Sequence, residues 1–282
     1  MIKGDTKVYT ILGNPVKHSK SPDMHNAAFA QLHINACYIP LEAKINEIEA
    51  ICEMIRSGTI FGSNVTIPYK EEVVKYVDVL TEEASTIGSV NTLYSKEGKL
   101  IGDNTDGLGF HKSLFSDLGF NPQNKKCIIL GAGGASKAVA TKLCQGGIES
   151  LVVFDIDREK GEALINHLEK FNYNSSVSLI SSSQVDEHSS NGDLIVNCTP
   201  IGMKDADPLL ISEEIFSKKH YVYDIIYTPS ETKLLSLARR KGAKTINGMD
   251  MLAYQGAESF SIWENVPPPY EIMKEELRNG QI

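Results

Sequence analysis

The stretch Cys127–Ala138, CIILGAGGASKA, decides the fold. Four apolar residues run straight into Gly131, Gly133 and Gly134, and small residues follow at helical spacing. A buried strand turning directly into a helix has this form, because glycine accepts tight turns and lets a ligand approach the backbone. Free amides and the helix dipole at such a turn suit a pyrophosphate. Ser136 occupies the usual third glycine position, so the match to GxGxxG is imperfect. No GKS or GKT follows, which argues against a P-loop nucleotidase. The turn therefore predicts a dinucleotide-binding unit formed by Gly131, Ala132, Gly133, Gly134 and Ala135.

Working outward, strand and helix patterns alternate. A helix is predicted over 134–145, a strand at LVVFD (151–155), a helix over 158–170, and strands at VSLI (177–180), DLIVNCT (193–199) and YVYDII (221–226). This is the element order of a Rossmann-type domain. TDGLGFHKSLFSDLG (105–119) leads into it as a helix closed by Gly119. Upstream, VYTILG (8–13), CYIPL (37–41) and GSNVTI (62–67) read as strands, with helices over 22–33 and 46–57. NTLYSKEGKLIGDN (91–104) reads as a hairpin around Gly98. After KTING (244–248) two helices, 250–264 and 270–278, flank Pro267, Pro268 and Pro269. The class is α/β, with a substrate domain over 1–104, a dinucleotide domain over 105–247, and C-terminal helices over 248–282 that return to the first domain.

The bulk numbers exclude other classes. With 36 acidic and 28 basic residues among 282, the net charge of -8 lacks the cationic footprint that nucleic acid requires. Five scattered cysteines without a CxxC pair suit neither a disulfide framework nor a zinc site, and a reducing cytoplasm is expected. The histidines show no HExxH spacing, so no metal is expected. The opening MIKGDTKVYTILGNP reads as a strand and turn rather than a leader, and no apolar run is long enough to cross a membrane.

Asp155 ends the second strand of the dinucleotide unit, 24 positions beyond Gly131 (155 − 131). An acidic residue near this spacing bonds the adenosine ribose hydroxyls. It disfavours a 2'-phosphate: two charges about 4 Å apart repel by about 4 kcal/mol at an effective dielectric of 20, before solvent screening. Arg158 or Lys160 would have to swing toward the phosphate to offset this.

The first domain carries polar residues that packing does not explain. GNPVKHSKSPDMHN (13–26) places Ser19 and Ser21 at a turn and helix start, with Pro22 at the first helical position. SNVTIPYK (63–70) brings Thr66 and Lys70 to a strand end, where α/β ligands bind. GSVNT (88–92) holds Asn91, and GDNTDGLGF (102–110) holds Asp106 beside the domain boundary.

With GAGGASKA, NCTPIGM (197–203) and GMDMLAYQGA (248–257), these stretches resemble the shikimate dehydrogenase family, motif by motif and in order, over essentially the whole chain. The resemblance implies an enzyme that reversibly reduces 3-dehydroshikimate to shikimate with a nicotinamide cofactor, on the route to chorismate and the aromatic amino acids. It implies that Ser19 and Ser21 bind the substrate carboxylate, that Thr66, Asn91 and Gln255 bind its other polar groups, and that Tyr227 lies near the substrate. Lys70 and Asp106 match the family's catalytic pair. Thr199, Ile225 and Gly248 join the glycine loop, Asp155 and Arg158 on the cofactor side. Family members mostly use NADP and carry an Asn-Arg-Thr-like stretch where this chain has Asp155, Ile156 and Asp157. The missing arginine favours NAD and brings the NAD-dependent quinate/shikimate dehydrogenases forward as the alternative. A non-catalytic nucleotide-sensing protein ranks lower, because Lys70 and Asp106 are both present. No macromolecular partner is implied, and the expected state is a monomer or homodimer.

Overall fold

The computed structural model describes residues 2–279 and divides the chain into two units, one formed by 1–109 with 252–282, the other by 110–251. In the first, β1 (Lys7–Gly13), α1 (Ser21–Gln31), β2 (Ala36–Glu42), α2 (Ile48–Arg56), β3 (Gly62–Val65), β4 (Val79–Leu80), α3 (Glu82–Ile87), β5 (Thr92–Lys96) and β6 (Lys99–Asp103) precede α4 (Asp106–Lys112). The strand order is β2-β1-β3-β5-β6-β4. β1 pairs parallel with β2 and β3, while β3, β5 and β6 pair antiparallel. The hairpin expected around Gly98 is β5–β6; Gly98 takes a positive φ of 74° that suits its turn.

One sheet face buries Leu12, Ile48, Ile51, Ile55, Val65, Leu93 and Leu100. The amphipathic α2 supplies the isoleucines from one stripe. Elsewhere an aromatic group gathers Tyr9, Phe29, Tyr38, Trp263 and His25. Gly62 is glycine for want of room: a Cβ there would lie 2.5 Å from the Trp263 indole nitrogen.

His25 is wholly buried, with its ring stacked on Tyr38 at 4.4 Å. Burial pushes its pKa down to about 3, partly offset by the Asn64 side chain. The unfolded chain takes up this proton below about pH 6.5, whereas the folded one does so only near 3. The linked stability is therefore full above about 6.5 and falls as pH drops toward 3, by up to about 1.4 kcal/mol per unit. His25→Phe should flatten the stability profile between pH 6.5 and 4.5 relative to the parent in urea unfolding. Parallel profiles would refute the assignment.

The second unit carries β7 (Lys126–Leu130), α5 (Gly134–Gln145), β8 (Ser150–Phe154), α6 (Arg158–Glu169), β9 (Ser176–Leu179), α7 (Val185–Asn191), β10 (Leu194–Asn197), β11 (Tyr221–Asp224), α8 (Lys233–Arg240) and β12 (Lys244–Asn247). All strands are parallel, in the order β12-β11-β10-β7-β8-β9. Counted from β7 this is 6-5-4-1-2-3, the doubly wound order whose reversal between β7 and β10 opens a crevice at the strand ends. Both sheet faces are covered: Ile129, Val153, Val196 and Tyr223 look into one core, Ile128, Val152, Ile195 and Val222 into the other. Such two-sided burial explains strands that read as unbroken apolar runs. The α-helical part of α4 stops at Lys112, and a wider turn, Ser113–Asp117, continues it toward Gly119. α9 (Met249–Glu264) and α10 (Tyr270–Asn279) close the chain, and α10 packs on α1 within the first unit.

Candidate active site

Lys70 follows β3 in the turn after Pro68. Its carbonyl accepts the Val90 N–H at 2.8 Å, which ties the residue to the start of β5. The Lys70 ammonium donates to Asp106 Oδ2 at 2.5 Å, with both side chains largely shielded from solvent. Asp106 opens α4, its N–H donating to Asn104 Oδ1 at 3.0 Å. The helix start thus fixes a carboxylate whose charge suits the dipole.

Asn91 sets the other Asp106 oxygen, donating to Oδ1 at 2.9 Å. Its amide carries two hydrogens but has three acceptors in reach: Asp106, Thr105 Oγ1 at 2.9 Å and Gln255 Oε1 at 3.2 Å. The longest contact is the one that a ligand hydroxyl can replace most cheaply. Its carbonyl oxygen accepts from Thr105 N and Thr92 Oγ1, both at 2.8 Å, so the amide orientation is settled. Lys70, Asp106, Asn91 and Gln255 form one hydrogen-bonded group.

Ser19 and Ser21 are brought together, though not as a serine cap. Lys20 holds the N-cap position, and the Ser21 N–H donates to Ser19 Oγ at 3.2 Å. The expected helix start at Ser21 is present, and this bond accounts for Ser19 at the turn. Thr66 is half-buried beside Gly13, where an added Cβ would lie 2.4 Å from the threonine methyl.

Between the serines and the lysine runs a chain of buried polar groups. The Tyr38 phenol, beside the Ser21 side chain, donates to Asn64 Oδ1 at 2.8 Å. Asn64 Nδ2 donates to Ser259 Oγ at 2.9 Å, and Ser259 meets Thr92 and Thr105 at 2.8 and 3.1 Å. Sequence reasoning did not single out Tyr38, Asn64, Thr92, Thr105 or Ser259. Asn64 had left a signal, being an amide inside an otherwise strand-like stretch.

In the second unit Gly131 has φ +99°, and a Cβ on it would come within 3.0 Å of the Thr199 side chain and 3.2 Å of the Cys198 backbone. Glycine is required on both counts. It lets the loops after β7 and β10 meet at the reversal point of the sheet, so Thr199 stands beside the glycine loop. Gly133 is the N-cap of α5, and no side chain caps the helix. First-turn amides there can serve a ligand phosphate.

Asp155 does more than the sequence suggested. Its Oδ2 accepts the Ala132 N–H at 2.7 Å and its Oδ1 accepts the Asp157 N–H at 2.8 Å. The carboxylate clamps the glycine loop and keeps further lone pairs for a ribose hydroxyl. A cleft of about 320 Å³ is lined by Asp155, Ile156, Arg158, Ile180, Ser181 and Ser182. Arg158 is engaged with Glu162 at 2.7 Å and Lys160 with Asp157 at 3.2 Å. Both are exposed, weakly held pairs, so neither is locked away from a phosphate.

Ile225 and Gly248 pack together: a Cβ on Gly248 would stand 2.0 Å from the Ile225 carbonyl oxygen. Gly248→Ala should push this backbone aside, lowering stability by about 1–3 kcal/mol and weakening cofactor binding, as thermal melts with and without nicotinamide dinucleotide would reveal. An unchanged melting temperature would show that the close approach is slack. Tyr227, two residues beyond Ile225, is half-buried, and desolvation raises its phenol above the ordinary range.

The chain is similar to known proteins over nearly its whole length. The sequence model of the shikimate dehydrogenase substrate binding domain matches residues 11–93, and that of the shikimate 5'-dehydrogenase C-terminal domain matches residues 248–278. A shikimate dehydrogenase (NADP(+)) from Methanocaldococcus jannaschii is 40% identical over 97% of each chain. A solved shikimate dehydrogenase in complex with NADP+ superposes with a TM-score of 0.91 at 38% identity, over 100% of this chain and 98% of that one. Shikimate 5-dehydrogenase from Listeria monocytogenes, solved with shikimate and NAD, gives a TM-score of 0.89 at 31% identity over 98% of each chain. With such identity over nearly its full length, the chain belongs to the shikimate dehydrogenase family.

Proposed function

We propose that this protein is a cytoplasmic shikimate dehydrogenase that interconverts 3-dehydroshikimate and shikimate and prefers NAD over NADP. The observation that carries the reaction is the largely shielded Lys70–Asp106–Asn91 group, a proton donor held by a carboxylate. The bound nicotinamide supplies or takes the hydride. Lys70 Nζ gives a proton to the oxygen that becomes the substrate hydroxyl, and takes it back in oxidation. Asp106 accepts from Lys70 and from a substrate hydroxyl, orienting both. Ser19 and Ser21 receive the substrate carboxylate, Thr66, Asn91 and Gln255 its hydroxyls, and Tyr227 lies near it. Gly131 to Ala135 receive the pyrophosphate, Asp155 the ribose, and Thr199, Ile225 and Gly248 the nicotinamide half. The chain functions as a monomer or homodimer.

The cofactor preference rests on Asp155 and on Ile156 standing where an arginine would meet a 2'-phosphate. Initial rates of shikimate oxidation, followed at the reduced-nicotinamide absorbance, test both parts. A kcat/KM at least tenfold higher with NAD is expected, equal to about 1.4 kcal/mol. Equal rates or an NADP preference would overturn the cofactor assignment while leaving the reaction intact. Quinate run beside shikimate should turn over poorly; strong turnover with NAD would move the assignment to quinate/shikimate dehydrogenase. Cofactor binding without turnover of either acid would point to the nucleotide-sensing alternative.

A further inference from the structure

Behind the loops that carry Thr199 and Ile225 lies a buried carboxylate with no part in the chemistry above. Asp224 ends β11 and is fully inaccessible. It stands opposite Asn197 in the parallel register of β10 and β11. Its Oδ1 accepts from Asn197 Nδ2 at 3.0 Å and from the Ile226 N–H at 3.1 Å; its Oδ2 accepts from Thr232 Oγ1 at 2.7 Å. All three donors are neutral. Burial pushes the carboxyl up to about 6, and the three donors restrain the rise. A carboxylate buried without a cation is costly, and the core position alone gives no reason for one.

The hydrogen-bond directions supply a reason. Asn197 Oδ1 is committed as acceptor to Thr199, from its N–H at 3.0 Å and its hydroxyl at 2.7 Å. The Asn197 amide hydrogens therefore face Asp224 and the Ile201 carbonyl, the latter at 3.1 Å. Only an acceptor at 224 satisfies this orientation. On the other side the same Asp224 oxygen holds the Ile226 N–H, and the Ile226 carbonyl accepts the Gly248 N–H at 3.1 Å. One buried side chain thus fixes the loop after β10 through Asn197, and the loop after β11 together with Gly248 through Ile226. Both loops carry groups assigned to the nicotinamide half.

We infer that Asp224 is a positioning residue for the cofactor: acting through Asn197 and Ile226, it sets the places of Thr199, Ile225 and Gly248 at the nicotinamide end of the cleft. The inference rests on the reading of those three residues as cofactor-facing. Thr232, its third partner, ends the loop after β11 and caps α8 by accepting the Leu235 N–H at 3.3 Å; its hydroxyl holds Oδ2, the oxygen that touches neither Asn197 nor Ile226.

That asymmetry provides the test. Asp224→Val keeps approximate shape but leaves one Asn197 amide hydrogen, the Ile226 N–H and the Thr232 hydroxyl without their acceptor; Thr232→Val removes only the anchor and the cap. NAD binding to the full chain, titrated alone by calorimetry, should weaken roughly tenfold or more in Asp224→Val, since small misplacements near the reacting groups carry large costs. In the same variant kcat for shikimate should fall while the KM for shikimate stays within about twofold. Thr232→Val should lower the melting temperature with NAD affinity within about twofold. Asp224→Asn, which keeps one oxygen toward Asn197 and Ile226, should hold NAD affinity within about twofold of the parent, and it carries the test if Asp224→Val does not fold. NAD affinity within twofold of the parent in folded Asp224→Val, or a loss of tenfold or more in Asp224→Asn, would overturn the inference. So would equal losses in Thr232→Val at matched stability. The calorimetric arm needs no shikimate, so it separates failure of this inference from failure of the assigned reaction.

Discussion

Replacing Lys70 by alanine is expected to lower kcat for shikimate oxidation by about a thousandfold, the middle of the range for losing a positioned general acid–base group. The substitution also leaves Asp106 without its cation in a shielded place. The carboxylate keeps the Asn91 amide and its position at the start of α4, so the fold should hold. NAD affinity should be unchanged within about twofold, because the glycine loop and Asp155 form their contacts without Lys70. Lys70→Arg is the sharper companion. It retains the charge beside Asp106 but holds its proton throughout the accessible pH range, so it should rescue stability without rescuing turnover. Stopped-flow and steady-state rates with both variants decide the matter: turnover within tenfold of the parent in either would remove Lys70 from the chemistry.

How far these residues can be read without coordinates follows from how each is held. The second unit was legible almost throughout, because a parallel sheet covered on both faces writes each strand as a short apolar run and each crossover as an amphipathic helix. Gly131 stood out since backbone and side chain both exclude any other residue there. Lys70, Asp106 and Asn91 were found through the order of their motifs; no periodicity marks them. Tyr38 and Ser259 were missed for a physical reason. Each sits on an ordinary element, and only tertiary pairing brings their hydroxyls into one buried chain. β4 has two residues and α3 has six, too short for any periodic signal to rise. Asp224 reads as the end of a strand, and its role appears only from the donors around it.

The cofactor preference should yield to two substitutions, Asp155→Asn with Ile156→Arg. Asp155 has two physical roles that single changes confuse. Its charge repels a 2'-phosphate, and its oxygens clamp Ala132 and Asp157. Asparagine removes the charge yet keeps one acceptor, so the glycine loop should retain part of its clamp, whereas Asp155→Ala should weaken NAD and NADP alike. Ile156 is 95% exposed and lines the same cleft, so an arginine there costs no packing and brings a planar pair of donors within reach of a phosphate. Lost repulsion of about 1–2 kcal/mol after screening and a charge-assisted bond of about 1.5–3 kcal/mol combine to roughly 3 kcal/mol or more. That predicts a shift of at least about a hundredfold in the ratio of kcat/KM for NAD to that for NADP. Most of the change should fall on the cofactor KM, because neither side chain touches the reacting groups. A ratio that moves less than threefold would mean that Arg158 and Lys160 already serve the phosphate, and that Asp155 acts here only as the clamp of its loop.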